Sequence, residues 1–202
     1  MLRNSGNSES DEDAAAMKRL AQGDDCALAE IIARHQKSVF NLTYRFFQDY
    51  SLAEDIAQEA FLRIYSVRKR YKPAAKFTTY LYRVVTNLCL SQIRSQSLHK
   101  VYSIYGSKPD DESEPAVREK VSTADSARDS LEKDELVAKV KEIIQSLPPN
   151  QRIAVILSKY EGMSYSEIAK VMSVSVMAVK SLLVRAREKI REKLLPYLEK
   201  KG

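Results

Sequence analysis

Only 5 glycines and 6 prolines punctuate the 202 residues, and that scarcity limits the fold more than any other feature of the chain. Strand-to-strand turns draw heavily on these two residues, whereas helices need them mainly at their ends. The apolar pattern agrees. Ile56, Ala60 and Ile64, and later Val176, Val179, Leu183, Ala186 and Ile190, recur at the three- and four-residue spacing of a helix face. Two Ser-x-x-Glu sequences, starting at Ser51 and Ser164, have the form of capping boxes that open helices. The expected fold class is all-α.

Charge then divides the chain. The formal net charge is +6, with a pI near 9.2. It is spread as +4 over residues 1–106, −5 over 107–135 and +7 over 136–202. The acidic stretch is rich in Ser, Asp and Glu, contains Pro109 and Pro115, and has few large apolar residues, the composition of a solvated tether. The expected organisation is two small helical domains, 14–96 and 131–199, joined by an acidic flexible linker over 97–130. Such a linker can lie across a basic groove of the same chain.

Between Glu59 and Asp110 there is no acidic residue. The interval holds Arg63, Lys72, Lys76, Arg83 and Arg94 among its cations, interleaved with Tyr71, Phe77, Tyr80 and Tyr82. Cations that follow phosphates, mixed with rings on which bases stack, suit a single-stranded nucleic acid. Rings in a core and cations on a solvated face would give a similar composition; the missing acids favour the nucleic-acid reading.

Along the chain, helix is expected over 14–36 with a break at Gly23-Asp24-Asp25. The next helical stretch, 37–48, places Val39, Phe40, Tyr44 and Phe47 on a core face. The helix opened by Ser51 carries Asp55, Gln58, Glu59 and Leu62 on a stripe away from its core face. Those carboxylates have no histidine or third acid beside them, so a solvated or protein-docking face is expected rather than a metal or acid–base site. Lys72-Pro73 breaks the helix, and Thr78 or Thr79 caps the next, which runs to about Arg94 with Tyr80, Arg83, Asn87, Ser91 and Arg94 sharing an outward face.

In the second block, helices over 131–147 and 150–160 precede a helix-turn-helix. Its short helix starts at Ser164–Ser166, its turn holds Ser173-Val174, and its second helix starts near Ser175. Ser175, Met177, Ala178, Lys180, Ser181, Leu182, Arg185 and Arg187 are the residues expected to meet duplex DNA. Cys26 and Cys89 form no CxxC pair and are read as two buried thiols. No nucleophile–base pair or metal cluster is evident, so neither an enzyme nor a metal or cofactor is expected. The polar start and the lack of an eighteen-residue apolar run point to a cytoplasmic protein without membrane insertion.

Three runs, SLAEDIAQEAFLRIYSVRKRY, FTTYLYRVVTNLCLSQIR and LPPNQRIAVILSKYEGMSYSEIAKVMSVSVMAVKSLLVRAREKIREKL, together resemble the extracytoplasmic-function class of bacterial RNA polymerase sigma factors. The first two are similar to region 2 of that family and the third to region 4. The resemblance implies a subunit that binds core RNA polymerase, directs it to promoters and helps melt the minus-ten element.

It implies polymerase docking through Asp55, Gln58, Glu59 and Leu62. Minus-ten capture would fall to Lys72, Lys76, Phe77, Tyr80, Arg83, Asn87 and Arg94, with 72–79 forming the loop for a flipped base. Region 4 would read the minus-thirty-five duplex, the linker would run toward the RNA exit path, and an anti-sigma factor would hold the chain inactive. Two departures stand out. Tyr80 replaces the family's usual Trp, and Leu182 and Val184 replace polar types in the recognition helix, which implies unusual minus-thirty-five preferences or partial use of that face for a protein partner. The competing reading is a stand-alone helix-turn-helix regulator, which has no need of an acidic docking helix beside an aromatic-basic one.

Overall fold

The computed structural model describes residues 5–71, 76–105 and 127–199, all helices and short turns. In order these are α1 (Ser5–Ala21), α2 (Cys26–Phe47), α3 (Tyr50–Val67), a 3-10 turn (Arg68–Arg70), α4 (Phe77–Tyr105), α5 (Ala127–Gln145), α6 (Pro149–Lys159), α7 (Tyr165–Met172) and α8 (Val176–Glu199). The break expected at Gly23 is present, and Gly23 adopts a left-handed φ of 99° that side-chain-bearing residues avoid. Residues 106–126, the middle of the expected linker, lie outside the described residues.

The first four helices assemble on apolar stripes. Along α2 the buried stripe is Ile31, Val39, Leu42 and Phe46, while Phe40, Tyr44 and Phe47 are only half-buried. This corrects the expected face by a fraction of a turn: only Val39 of the expected four is fully enclosed. Along α3, Ile56, Ala60 and Ile64 are buried as expected. The two helices are tied by Thr43, whose hydroxyl donates to the Ala53 carbonyl at 3.0 Å. α1 is fastened by a buried carboxylate: Asp13 pairs with Arg34 and with His35, whose Nε2 lies 2.9 Å from it. The histidine thus has a structural partner.

Helix starts differ from expectation in two places. The N-cap of α3 is Asp49, which accepts from the Leu52 N–H at 3.0 Å, and Ser51 lies inside the helix. Gln48 in the left-handed region (φ 56°) turns the chain sharply out of α2, leaving Asp49 extended at φ −122°, the backbone a cap requires. α4 begins at Phe77, so Thr78 and Thr79 lie within its first turn, and it continues past Arg94 to Tyr105. The cysteines differ too. Cys89 is buried, and burial pushes its thiol up to about 12, but Cys26 is exposed because it occupies the first position of α2 at the molecular surface.

In the second half, Pro149 stands at the first turn of α6, where its missing N–H costs nothing. Gly162 (φ 64°) turns the chain after α6. The second Ser-x-x-Glu forms the expected box: Ser164 caps Glu167 N–H, and the Glu167 carboxylate accepts from Ser164 N–H at 2.9 Å. Val179, Leu183 and Ala186 of α8 are buried, but Val176 is 41% exposed. As the first residue of α8 it projects from the turn with no helix packed over it.

Core residues of both halves belong to one cluster. Each fully buried Leu, Ile or Phe in it contributes about 1.5–3 kcal/mol. α4 is packed on two sides. Leu81, Val85 and Leu88 are buried, and so are Tyr82, Thr86 and Cys89, with α3 and α2 on one side and α6 and α7 on the other.

Polar ties join the halves. Arg152 of α6 donates to the carbonyls of Phe46 (3.0 Å), Leu147 (3.3 Å) and Gln145, and stacks over the Phe46 ring at 5.2 Å. It thereby serves the unpartnered C-terminal carbonyls of both α2 and α5. Gln145 adds donations to the carbonyls of Arg45 and Phe46 at 3.0 and 3.1 Å.

Candidate polymerase and nucleic-acid interfaces

Three faces gather the residues singled out from the sequence. On α3, Asp55, Gln58 and Leu62 are exposed and Glu59 is half-exposed. Glu59 pairs with Arg63 one turn on, at 2.9 Å. Leu62 is 62% exposed and lines a groove between α2 and α3 whose floor and walls include Leu28, Ile32, Phe40 and Phe61, with Gln58 at its edge. The polar side chains around this apolar trough are Glu54, Lys37, Gln36 and Gln58, and such a trough is suited to the apolar face of a partner helix. On the α2 wall, Phe40, expected on a core face, is half-buried and lines this surface beside Leu28 and Ile32.

On α4, the ring cluster is real but partly inward. Phe77 is 1% exposed, between the His35 ring at 5.5 Å and the Tyr71 ring at 6.2 Å. Of the expected minus-ten set it is the residue whose ring is enclosed rather than presented, because the first turn of α4 packs down on α1 and α2. Tyr80 is half-buried against Tyr71, centroids 5.3 Å apart, and burial raises both phenols. Lys76, Asn87 and Arg94 are exposed. Lys72 lies outside the described residues. Arg68, another cation of the interval without acids, stacks on Tyr65 at 3.8 Å and extends the basic surface through the 3-10 turn.

The N-terminal half of α4 is tied to the second half of the chain. Arg83 donates through Nη2 and Nε to the Lys170 carbonyl of α7 at 2.8 and 3.1 Å. The Tyr82 hydroxyl donates to Glu161 at 2.7 Å, and that carboxylate also pairs with Arg45. Burial, followed by the bond to Glu161, drives the Tyr82 phenol well above its ordinary range. Lys76 lies near enough to Glu167 to help hold that carboxyl low. Of the shared outward face expected for Tyr80, Arg83 and Asn87, Tyr80 and Arg83 are half-buried and Asn87 is exposed.

On α8, Ser175 is the N-cap: its Oγ accepts from the Ala178 N–H at 3.1 Å. Met177, Lys180, Ser181, Val184, Arg185 and Arg187 are exposed, while Ala178 and Leu182 are half-buried, Leu182 against the core. The replacement that faces solvent is thus Val184. α7, the Ser173-Val174 turn and α8 form a helix-turn-helix in which Val174 N–H donates to the Ala169 carbonyl at 3.0 Å and Val179 is fully enclosed.

A helix-turn-helix with a basic second helix, set beside a ring-and-cation helix, defines the class of DNA-binding transcription proteins. Comparison with known proteins narrows the class. Residues 31–99 match the family model described as Sigma-70 region 2, and residues 138–190 match Sigma-70, region 4. The chain is 31% identical to the RNA polymerase sigma-H factor of Pseudomonas aeruginosa over 195 residues, 93% of this chain and 96% of that one. It is 30% identical to the ECF RNA polymerase sigma-E factor of Escherichia coli strain K12 over 96% of this chain and all of that one.

The chain belongs to the extracytoplasmic-function RNA polymerase sigma factors, which bind core polymerase and direct promoter-specific transcription as initiation factors rather than as enzymes in the usual sense. The fold is similar to that of CnrH, solved in complex with the cytosolic domain of CnrY, with a TM-score of 0.64 at 21% identity over 91% of this chain and 97% of that one. It is also similar to RpoE of Bartonella quintana, solved with the anti-sigma factor NepR, with a TM-score of 0.61 at 19% identity, covering 82% and 95%. Among the described residues no helix is long and apolar enough to cross a membrane.

Proposed function

We propose that the α2–α3 groove and the acidic stripe beside it dock this chain on core polymerase, and that α4 then captures the melted minus-ten strand. In this reading Asp55, Gln58, Glu59 and Leu62 meet the polymerase. Lys72, Lys76, Tyr80, Arg83, Asn87 and Arg94 track and stack the strand, while Phe77 holds the first turn of α4 in place from within. Unstacked bases need new ring partners and their phosphates need cations, and the interval from Glu59 to Asp110 offers both with no carboxylate to repel the strand.

The helix α8 reads the minus-thirty-five duplex through its exposed side, with Arg185 and Arg187 on phosphates. Residues 14–96 and 131–199 are the two working units, and 97–130 is the connection between them, led into by the C-terminal end of α4. The protein works in the cytoplasm, where its polymerase is. CnrH and RpoE were solved with CnrY and NepR; we propose that an anti-sigma protein likewise restrains this chain.

The observation that carries the docking assignment is the exposed Leu62 at the mouth of an apolar groove, with Asp55 on the same side of α3. Asp55 is fully on the surface, so Asp55→Arg leaves the fold intact. The expected result is loss of holoenzyme in a pull-down with bacterial core polymerase, with an unchanged circular dichroism melt. Wild-type holoenzyme formation by the variant would remove α3 from the docking surface.

A further inference from the structure

We infer that α8 reads thymine by its C5-methyl group, with Met177 and Val184 as the specificity-determining side chains of the upstream promoter element. The inference rests on the reading that α8 enters the major groove, and deepens it. Met177 is 70% exposed and Val184 48% exposed, on a helix whose opposite side is enclosed at Val179, Leu183 and Ala186. They stand seven residues apart, nearly two full turns, and so lie on one stripe with Lys180 and Ser181 between them.

The chemistry of that stripe is narrow. The first nine residues of α8, 176–184, contain no Arg, Asn, Gln, Asp or Glu. The usual two-pronged readers of guanine by arginine, of adenine by an amide and of cytosine by a carboxylate are all missing. Lys180 can reach a guanine and Ser181 can donate or accept at several bases. Met177 and Val184 can gain only from an apolar partner, and the one apolar group on the major-groove edge of DNA is the thymine methyl.

Spacing adds a constraint. Seven residues of helix span about 10 Å, which matches roughly three base-pair steps of about 3.4 Å. The basic residues that follow, Arg185, Arg187 and Lys189, are all exposed and supply the phosphate contacts that seat a helix on duplex DNA. A stripe that alternates two apolar side chains with Lys180 and Ser181, followed by exposed cations on either side of it, suits DNA better than a second protein surface.

The test uses the full chain bound to core polymerase. Upstream elements are first selected from promoter duplexes randomised in that segment. Each thymine of the selected element is then replaced by deoxyuridine, which deletes only the methyl. Expected is about fourfold weaker binding at each contacted thymine, at two positions no more than about three base pairs apart. Met177→Ala should abolish the thymine-over-uracil preference at one position, and Val184→Ala at the other. Both residues are exposed, so neither change disturbs folding.

Equal binding of thymine and uracil duplexes at every position would overturn the inference. So would variants that keep the full preference at both. Failure of the holoenzyme to select any upstream element would instead overturn the promoter-binding reading of α8 beneath it, which keeps the two failures distinct.

Discussion

Ser173 carries a φ of 56° at the end of α7, in the left-handed region that residues with a Cβ enter at a cost of about 1–2 kcal/mol. The turn of the helix-turn-helix depends on it, since the following Val174 N–H closes back to the Ala169 carbonyl. Glycine would relieve that cost, offset by its greater freedom in the unfolded chain, about 0.5–1 kcal/mol. Ser173→Gly should therefore raise stability by up to about 1 kcal/mol, seen as a higher thermal midpoint with the same helical signal. A lowered midpoint would show that the serine side chain stabilises the turn.

At this scale the sequence is a good guide to faces and a weaker one to individual side chains. Asp55, Gln58 and Leu62 are exposed as expected. Leu182 and Val184 could not be told apart from spacing, because both flank the buried stripe, and only the packing of α8 shows Leu182 turned toward the core and Val184 toward solvent. Phe77 and Cys26 are misplaced for one reason: both sit at helix starts, where neighbours come from other elements and no local period applies.

Two Ser-x-x-Glu sequences with the same local pattern behave differently as elements. At Ser164 the box closes at the start of α7. At Ser51 it does not, because Asp49, two residues earlier, already has the extended backbone a cap requires and accepts from the Leu52 N–H. The pattern alone cannot see that Gln48 has already turned the chain.

The box at α7 has a pH signature. Hydrogen bonds from the Ser164 side chain and backbone hold the Glu167 carboxyl below its ordinary value of 4.5, with Lys76 and Lys170 adding smaller pulls and burial opposing. Since the folded value lies below the unfolded one, this stabilisation is present above about pH 4.5 and fades as pH falls through the folded value. Ser164→Ala should cost about 1 kcal/mol at neutral pH, and the difference from wild type should shrink in acid. Urea melts at pH 7 and pH 3 measure it, and a difference that grows in acid would contradict the assignment.

For the whole molecule, the sequence reads as two helical blocks and gives no hint that they share a core. The ties between them, Arg152 to Phe46, Tyr82 to Glu161 and Arg83 to Lys170, join residues 79–106 positions apart and have no periodic signature. With the Arg83 guanidinium bound to α7 and Tyr82 to Glu161, this part of α4 is engaged by the second half of the chain, whereas Met177 and Val184 of α8 stay exposed.

The most direct test of this account is run-off transcription from a promoter-fragment library by bacterial core polymerase, with and without the protein. The account predicts discrete, promoter-specific transcripts only when both are present, with start sites that share upstream and minus-ten elements. Absence of such transcripts, together with tight binding of the protein alone to duplex DNA, would contradict it.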